Sequence, residues 1–463
     1  MHQFKKLGPS GNLLIFLMVI YAVTSQNPLI TLAAVLIPFF FYVLLWKEEE
    51  SPFLFLAMML QWLSVTVKVF YSNYEGLDFE NVFDNYRHIK EAFYLSLLGL
   101  LTVTLGIHLV IRKFELPDQN FKKLALDYSY KKIVPIYIGI SLGAGVLYRI
   151  AFINQGLQQP ITKLADFKWM AFFIMMLCLL YNRQWKIFTM IALFEIVLSL
   201  TGFFSNFKDY FLVIFGGIIL IFGRNLKFKQ LIPLVIVGTS CVYMLIIWQY
   251  VKPNYRKYLN GGEASQTVKR SREESLNKLA ELVGNVNEKS IDEGFKMTVD
   301  RISYIDYFSA TIDYVPRVVP HTNGGQWSDA IMRVLQPRLF FPGKAFIDDS
   351  QTTAKYTGIE VAGAERGASI SLGYATENYI DFGMFGMMFG LFGYGLIIGF
   401  IYRYIMMSSP DKLVGTAMII PLFFIIYTFE SALNKIIGAS FMYLIIYELF
   451  RRFALKRFLR FIR

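Results

Sequence analysis

VKPNYRKYLNGGEASQTVKRSREE, residues 251–274, opens the stretch that decides how this chain is read. From Val251 to about Ile380 it carries sixteen basic and sixteen acidic side chains. The rest is hydrocarbon-like: 55% of the 463 residues are apolar and only 17% are charged. So many charges cannot lie in a bilayer, where an ionised side chain is costly unless paired. The stretch must sit in water, held against the mouths of membrane spans.

The flanking sequence supplies those spans. A bilayer core takes roughly 20 apolar residues per helix. Apolar runs between charged clusters place spans near 12–25, 29–46, 52–71, 92–111, 133–150, 168–181, 187–204, 210–223 and 231–250. Three more follow, near 381–405, 413–433 and 436–450. The expected fold class is all-α, a polytopic membrane protein of about 12 transmembrane helices with one large helical loop. Its parts are spans 1–9 in residues 1–250, the loop 251–380, spans 10–12 in 381–450 and a basic tail, 451–463.

Charge sets the expected sidedness. Alternate short segments hold 22 Lys and Arg on one side and seven on the other. Lys and Arg favour the cytoplasmic side. Both termini are therefore expected in the cytoplasm and the large loop outside the cytoplasmic (inner) membrane. Because the loop is balanced, the net charge of +12 lies on inner flanks that meet anionic lipid. That accounts for the charge without nucleic acid. The tail RRFALKRFLRFIR reads as a basic interfacial helix that anchors the chain. Lys5 and Lys6 before the first apolar run resemble a secretion signal, read here as an uncleaved anchor. Cys178 and Cys241 fall inside spans and define no disulfide framework.

Within the loop, which reads as helices with turns between them, Ser271-Arg-Glu-Glu274 is a capping box, and Ser290-Ile-Asp-Glu293 a second, opening a stretch to about Tyr314 that Pro316 ends. Asn323-Gly324-Gly325 reads as a turn, and Ser328 as the cap of a short helix through Val334. In span 10, Gly386-x-x-x-Gly390 and Gly395-x-x-x-Gly399 are read as helix-packing positions.

Metal chemistry finds little support. The histidines His2, His88, His108 and His321 are scattered, and Asp78-Phe-Glu80 with Asp84 reads as a solvated acidic loop. More informative is a basic group late in the loop: Arg317, Arg333, Arg338, Lys344, Lys355 and Arg366. Guanidinium forks pair phosphate bidentately and ammonium binds it as a point charge, so this set suits a pyrophosphate headgroup. Lys208 and Arg149, at span ends, point to the same face. Glu377 and Asp381, four residues apart, share a helix face at the mouth of span 10. A carboxylate beside a cationic pocket is what deprotonating a sugar hydroxyl requires. The macrodipole preference for acids at a helix N-terminus explains one of them equally well. Lys68, Glu195 and Glu430 fall deeper in spans, where a charge needs a partner.

The ordered run Asp300-Arg301-Ile-Ser-Tyr304, Val315-Pro316, Gly324-Gly325, Gln336-Pro337-Arg338, Pro342-Gly-Lys344 and Glu377-x-Tyr379-x-x-Phe382-Gly383 resembles bacterial oligosaccharide repeat-unit polymerases. These are the Wzy-type enzymes of O-antigen, capsule and exopolysaccharide assembly. The resemblance implies a membrane glycosyltransferase acting at the outer face of the cytoplasmic membrane. Donor and acceptor would both be polyprenyl-pyrophosphate-linked oligosaccharides, with no metal or other cofactor. By the same resemblance Arg338 and Lys344 neutralise the departing pyrophosphate, with Arg338 counted among the catalytic groups. Arg301 opens the helical part of the loop, Glu377 is the base and Tyr379 is a hydrogen-bonding neighbour. Arg333, Arg366, Lys208, Arg149 and Asp381 are added from the residue reading alone. Whether a chain-length regulator protein docks is left open. The alternatives are an O-antigen ligase-like transferase and a transporter of lipid-linked sugar, whose pathway Lys68, Glu195 and Glu430 would line.

Overall fold

The computed structural model describes residues 9–463 except 48–49, 84–86, 115, 118, 152–156, 201–206, 223–227, 264–267, 337–340, 342, 344–347 and 364–368. The side chains of Pro9, Ser10, Arg149 and residues 228–237 also fall outside the description. Among the described residues every regular element is helical.

The first half holds α1 (Pro9–Thr24), α2 (Pro28–Leu45), α3 (Phe53–Glu75), α4 (Ile89–Ile111), α5 (Phe121–Leu126) and α6 (Tyr130–Ala151). It continues through α7 (Gln158–Ala165), α8 (Phe167–Tyr181), α9 (Trp185–Leu200), α10 (Phe207–Phe222) and α11 (Phe228–Leu259). The polar stretch forms α12 (Arg272–Gly284), α13 (Glu288–Ile302), α14 (Asp306–Tyr314), α15 (Gly325–Leu335) and α16 (Asp349–Thr357). Then come α17 (Tyr374–Ser408), α18 (Lys412–Ile426), α19 (Leu433–Phe450) and α20 (Lys456–Ile462).

Among the described residues, each apolar run singled out in the sequence overlaps a helix, though the run 413–433 outlasts its helix, which ends at Ile426. Among the described residues, seven helical segments are long and apolar enough to cross a bilayer, and α1 and α18 are shorter apolar helices. Their outward faces carry large hydrocarbon side chains: Phe385 and Phe389, one turn apart on α17, are 84% and 82% exposed. Water would penalise such a face and lipid does not. The fold is that of an all-helical membrane protein.

Local signals explain most helix ends. Ser271 accepts from the Glu274 N–H while the Glu274 carboxylate accepts from the Ser271 N–H, closing the expected capping box of α12. The second box is displaced. Asn287, not Ser290, caps α13 by accepting from the Ser290 N–H. The stretch to Tyr314 forms two helices, because Ser303 turns extended after Ile302. The short helix assigned to Ser328 starts earlier, at Gly325. Its N-terminus is served by Asp381 from a distant helix, which no local pattern could announce. α11 runs on to Leu259, past the apolar limit at Tyr250. The tail forms α20, and the Ser129 N–H donates to the Ile462 carbonyl, docking it beside α6.

Span 10 begins early, at Tyr374, and breaks at Gly383, whose φ of 66° and ψ of −171° suit only glycine. The break frees two carbonyls: Ile380 accepts from the Thr322 N–H and Asp381 from the Asn323 N–H, both at 3.0 Å. Beyond the break α17 packs along α4. Of the glycines read as packing positions, Gly395 lies so close to α4 that a Cβ there would run into the Val103 carbonyl oxygen. Gly393 faces open space. Gly395→Ala should therefore destabilise the protein by about 1–3 kcal/mol, the usual cost of overpacking, whereas Gly393→Ala should not. Thermal unfolding of the two variants in the same detergent checks the contrast.

Candidate functional site

The polar helices are bolted onto the membrane helices by buried charge. Lys68 of α3 reaches Asp300 at 3.2 Å and Asp306 at 3.8 Å, fixing the α13–α14 junction, with its ammonium 4.3 Å from the centre of the Phe83 ring. The Tyr304 N–H donates to the Ser64 carbonyl at the same place. A charge near lipid persists when it is paired in this way. Glu195 is likewise satisfied, accepting from the hydroxyls of Tyr137, Ser141 and Tyr210.

Opposite this junction lies the connection from α18 to α19, which carries Glu430. Three contacts hold it. Gln61 donates to the Ile426 carbonyl at 2.7 Å, the Tyr374 N–H donates to the Ser431 carbonyl at 2.8 Å, and the Leu433 N–H donates to Glu377 at 2.6 Å. Between the two segments is a cavity of about 490 Å³. Its wall includes Arg301, Tyr304, Tyr307, Asp349, Glu430 and Lys435.

Arg301, in the last turn of α13, donates through both terminal nitrogens to Glu430, at 2.6 and 2.9 Å. This fork raises the guanidinium above its ordinary value. Lys435 pairs with the buried carboxylate of Asp349, which also accepts from Ser369. More cations gather behind Arg301. Lys252, on the polar end of α11, feels Arg256, Arg301 and Lys208, with Glu430 opposing them. Burial, followed by those three like charges, pushes its ammonium down to about 8. Such a lysine is short of negative charge. The arrangement can accept an anion through a guanidinium fork and one or more ammonium groups, with carboxylates beside them.

The residues expected from sequence divide sharply. Arg301 lines the cavity. Lys208, in the first turn of α10, lies 5.8 Å from the Tyr427 ring centre and contributes to the field on Lys252. Arg338, Lys344 and Arg366 lie outside the described residues, as does the Arg149 side chain. Arg333 binds Asp329 one turn earlier on α15, at 2.6 Å.

The structure places Glu377, Tyr379 and Asp381 at joints between helices and loops. Glu377 is 4% exposed and Asp381 fully buried. Glu377 receives the first N–H of α19. Asp381 accepts from the Gln326 and Trp327 N–H groups, at 2.8 and 3.0 Å, and from the Thr322 hydroxyl. The Tyr379 hydroxyl donates to the Val315 carbonyl. None of the three lines the cavity. The sequence reading passed over Lys252, Arg256, Asp349 and Lys435. Only the basic turn after span 9 and the charge of Glu430 inside an apolar run signalled them.

A multi-span helical membrane protein with a charged cavity at its helix mouths is the class this architecture defines. The chain belongs to the family described as a domain of unknown function, DUF8712, whose model matches residues 10–458. No curated protein and no solved structure matches it.

Asp381→Ala should leave two half-buried N–H groups of α15 without their acceptor, at a combined cost of about 1–3 kcal/mol. Asp381→Asn, which keeps an acceptor, should lose less. Melting temperatures in detergent test this ranking, and equal losses would deny the capping role.

Proposed function

We propose that this protein polymerises lipid-linked oligosaccharide repeats, with the cavity between Arg301 and Glu430 as the place where the donor's anomeric bond breaks. The reading rests on one observation. A guanidinium held by a single carboxylate stands in a group of cations, beside a cavity large enough for sugar rings, where polar helices meet membrane helices. The resemblance to Wzy-type polymerases through Asp300-Arg301 and the Glu377 segment adds support.

The chemistry follows from that pair. When a polyprenyl diphosphate enters, its oxygens compete with Glu430 for the Arg301 fork. Lys252, Arg256 and Lys208 add charge for the second phosphate. Glu430, released from its partner, becomes a base beside the reacting atoms. The acceptor sugar hydroxyl gives its proton to Glu430 as its oxygen bonds to C1 of the donor sugar. The bond from C1 to the phosphate oxygen breaks, and its electron pair leaves with the lipid diphosphate. Transition-state stabilisation comes from cations aimed at the departing diphosphate, and alignment from tethering both lipids to one membrane. The acceptor therefore needs no activation beyond loss of one proton.

In this account Glu377 and Asp381 hold the site rather than react. Lys68 is ion-paired and Glu195 accepts from three hydroxyls, which favours a fixed site over the transport alternative.

Arg301→Ala and Glu430→Gln should each yield protein that inserts normally but makes no glycan longer than one repeat. A normal chain-length ladder from both would refute the assignment. Loss of transfer to a final acceptor, with long lipid-linked chains still present, would select the ligase-like alternative. The pH dependence is a second test. Lys252 is charged below about pH 8 and neutral above it, so KM for the diphosphate donor should rise as pH climbs through 8. Lys252→Arg stays charged and should remove that limb.

A further inference from the structure

A second cavity, of about 350 Å³, lies where α4 and α17 end and α18 begins. Three cations line it: Lys113 after α4, Arg403 near the end of α17, and Lys412 at the first position of α18. The acid in its described wall is Asp411. That carboxylate is already engaged, accepting from the Val414 N–H at 2.8 Å and from the Tyr128 hydroxyl at 3.2 Å. Lys412 is the informative group. It is only 6% exposed, and no carboxylate among the described residues pairs with it. Its ammonium stands 5.8 Å from the Phe121 ring centre, and Arg403 stands 6.0 Å from that of Phe114. Ring faces hold a cation in place but do not neutralise it. Among the described side chains, a buried ammonium lines the cavity with two further cations and one engaged acid, an excess of positive charge that suits an anion.

The remaining wall indicates what carries that anion. Met406 and Met407 bring thioether side chains to the cavity, and Met407 is 60% exposed. An anionic group joined to hydrocarbon would use both surfaces, whereas a free ion would use only the cations. Basic pockets between membrane helices bind phosphate headgroups on this principle. We propose that Lys113, Arg403 and Lys412 form a phosphate-binding site for an anionic lipid headgroup, separate from the Arg301 cavity. Occupancy would join the ends of α4, α17 and α18. This assignment does not depend on the polymerase reading.

The full chain in phosphatidylcholine nanodiscs containing a minor fraction of phosphatidylglycerol provides the test. Native mass spectrometry after release counts retained phosphatidylglycerol on the wild type, on Arg403→Gln, and on the Lys412→Met/Arg403→Gln pair. The control is Lys122→Gln/Lys123→Gln, exposed lysines of the neighbouring α5. The wild type should keep one lipid. At roughly fivefold per lost cation near a membrane surface, Arg403→Gln should weaken retention about fivefold and the pair further, with the control unchanged. Arg403→Gln guards against a folding defect at Lys412. A parallel arm adds inorganic phosphate. Retention unaffected by it assigns the site to the headgroup, and displacement assigns it to a soluble phosphate; both support a phosphate site. Equal retention by wild type and variants, or an equal loss in the control, overturns the proposal.

Discussion

Two buried carboxylates one turn apart on α17 each accept the N-terminus of another helix, and the geometry of the site follows from them. Asp381 takes α15 and Glu377 takes α19. A helix N-terminus presents unpaired N–H groups and partial positive charge, which a carboxylate satisfies together. Because α19 begins at Leu433, seating it also fixes Glu430 and Ser431 just upstream. Glu430 then meets Arg301 arriving from α13. A buried polar group at each joint is costly to leave without its hydrogen-bond partner, which holds these helices together at this corner.

The break at Gly383 belongs to the same constraint. A continuous helix would consume the carbonyls of Ile380 and Asp381 internally. By turning at a positive φ, the chain offers them to Thr322 and Asn323. The polar helices thus dock onto membrane helices through main-chain hydrogen bonds as well as ion pairs. Below the break, glycine lets α17 approach α4 closely. Close packing of α17 on α4 supports a polar cavity at the ends of the apolar helices.

Much of this was legible in residue pattern, for physical reasons that differ by element. Apolar runs such as Phe53–Tyr71 read as helices because lipid demands both hydrocarbon surface and internal hydrogen bonding. The capping box at Ser271 is local, so four residues sufficed to find it. Arg301 was legible through the motif around it. Glu377 and Asp381 were found as a pair sharing one face, but their partners, at Leu433 and at Gln326 and Trp327, lie about fifty residues away in the chain. Spacing reveals which residues share a face and not what that face meets. Lys252 and Arg256 looked like an ordinary basic flank, since their neighbours Arg301 and Glu430 arrive from other helices. Arg338, Lys344 and Arg366 lie outside the described residues, so their part in the site rests on sequence.

The central claim is that lipid-bound repeats are joined at the Arg301–Glu430 cavity. Purified protein, given only a polyprenyl-diphosphate oligosaccharide in detergent or proteoliposomes, tests it most directly. The account predicts products of two and more repeats with matching release of lipid diphosphate, absent with Glu430→Gln. Substrate counterflow across the proteoliposome membrane without any longer product would contradict it.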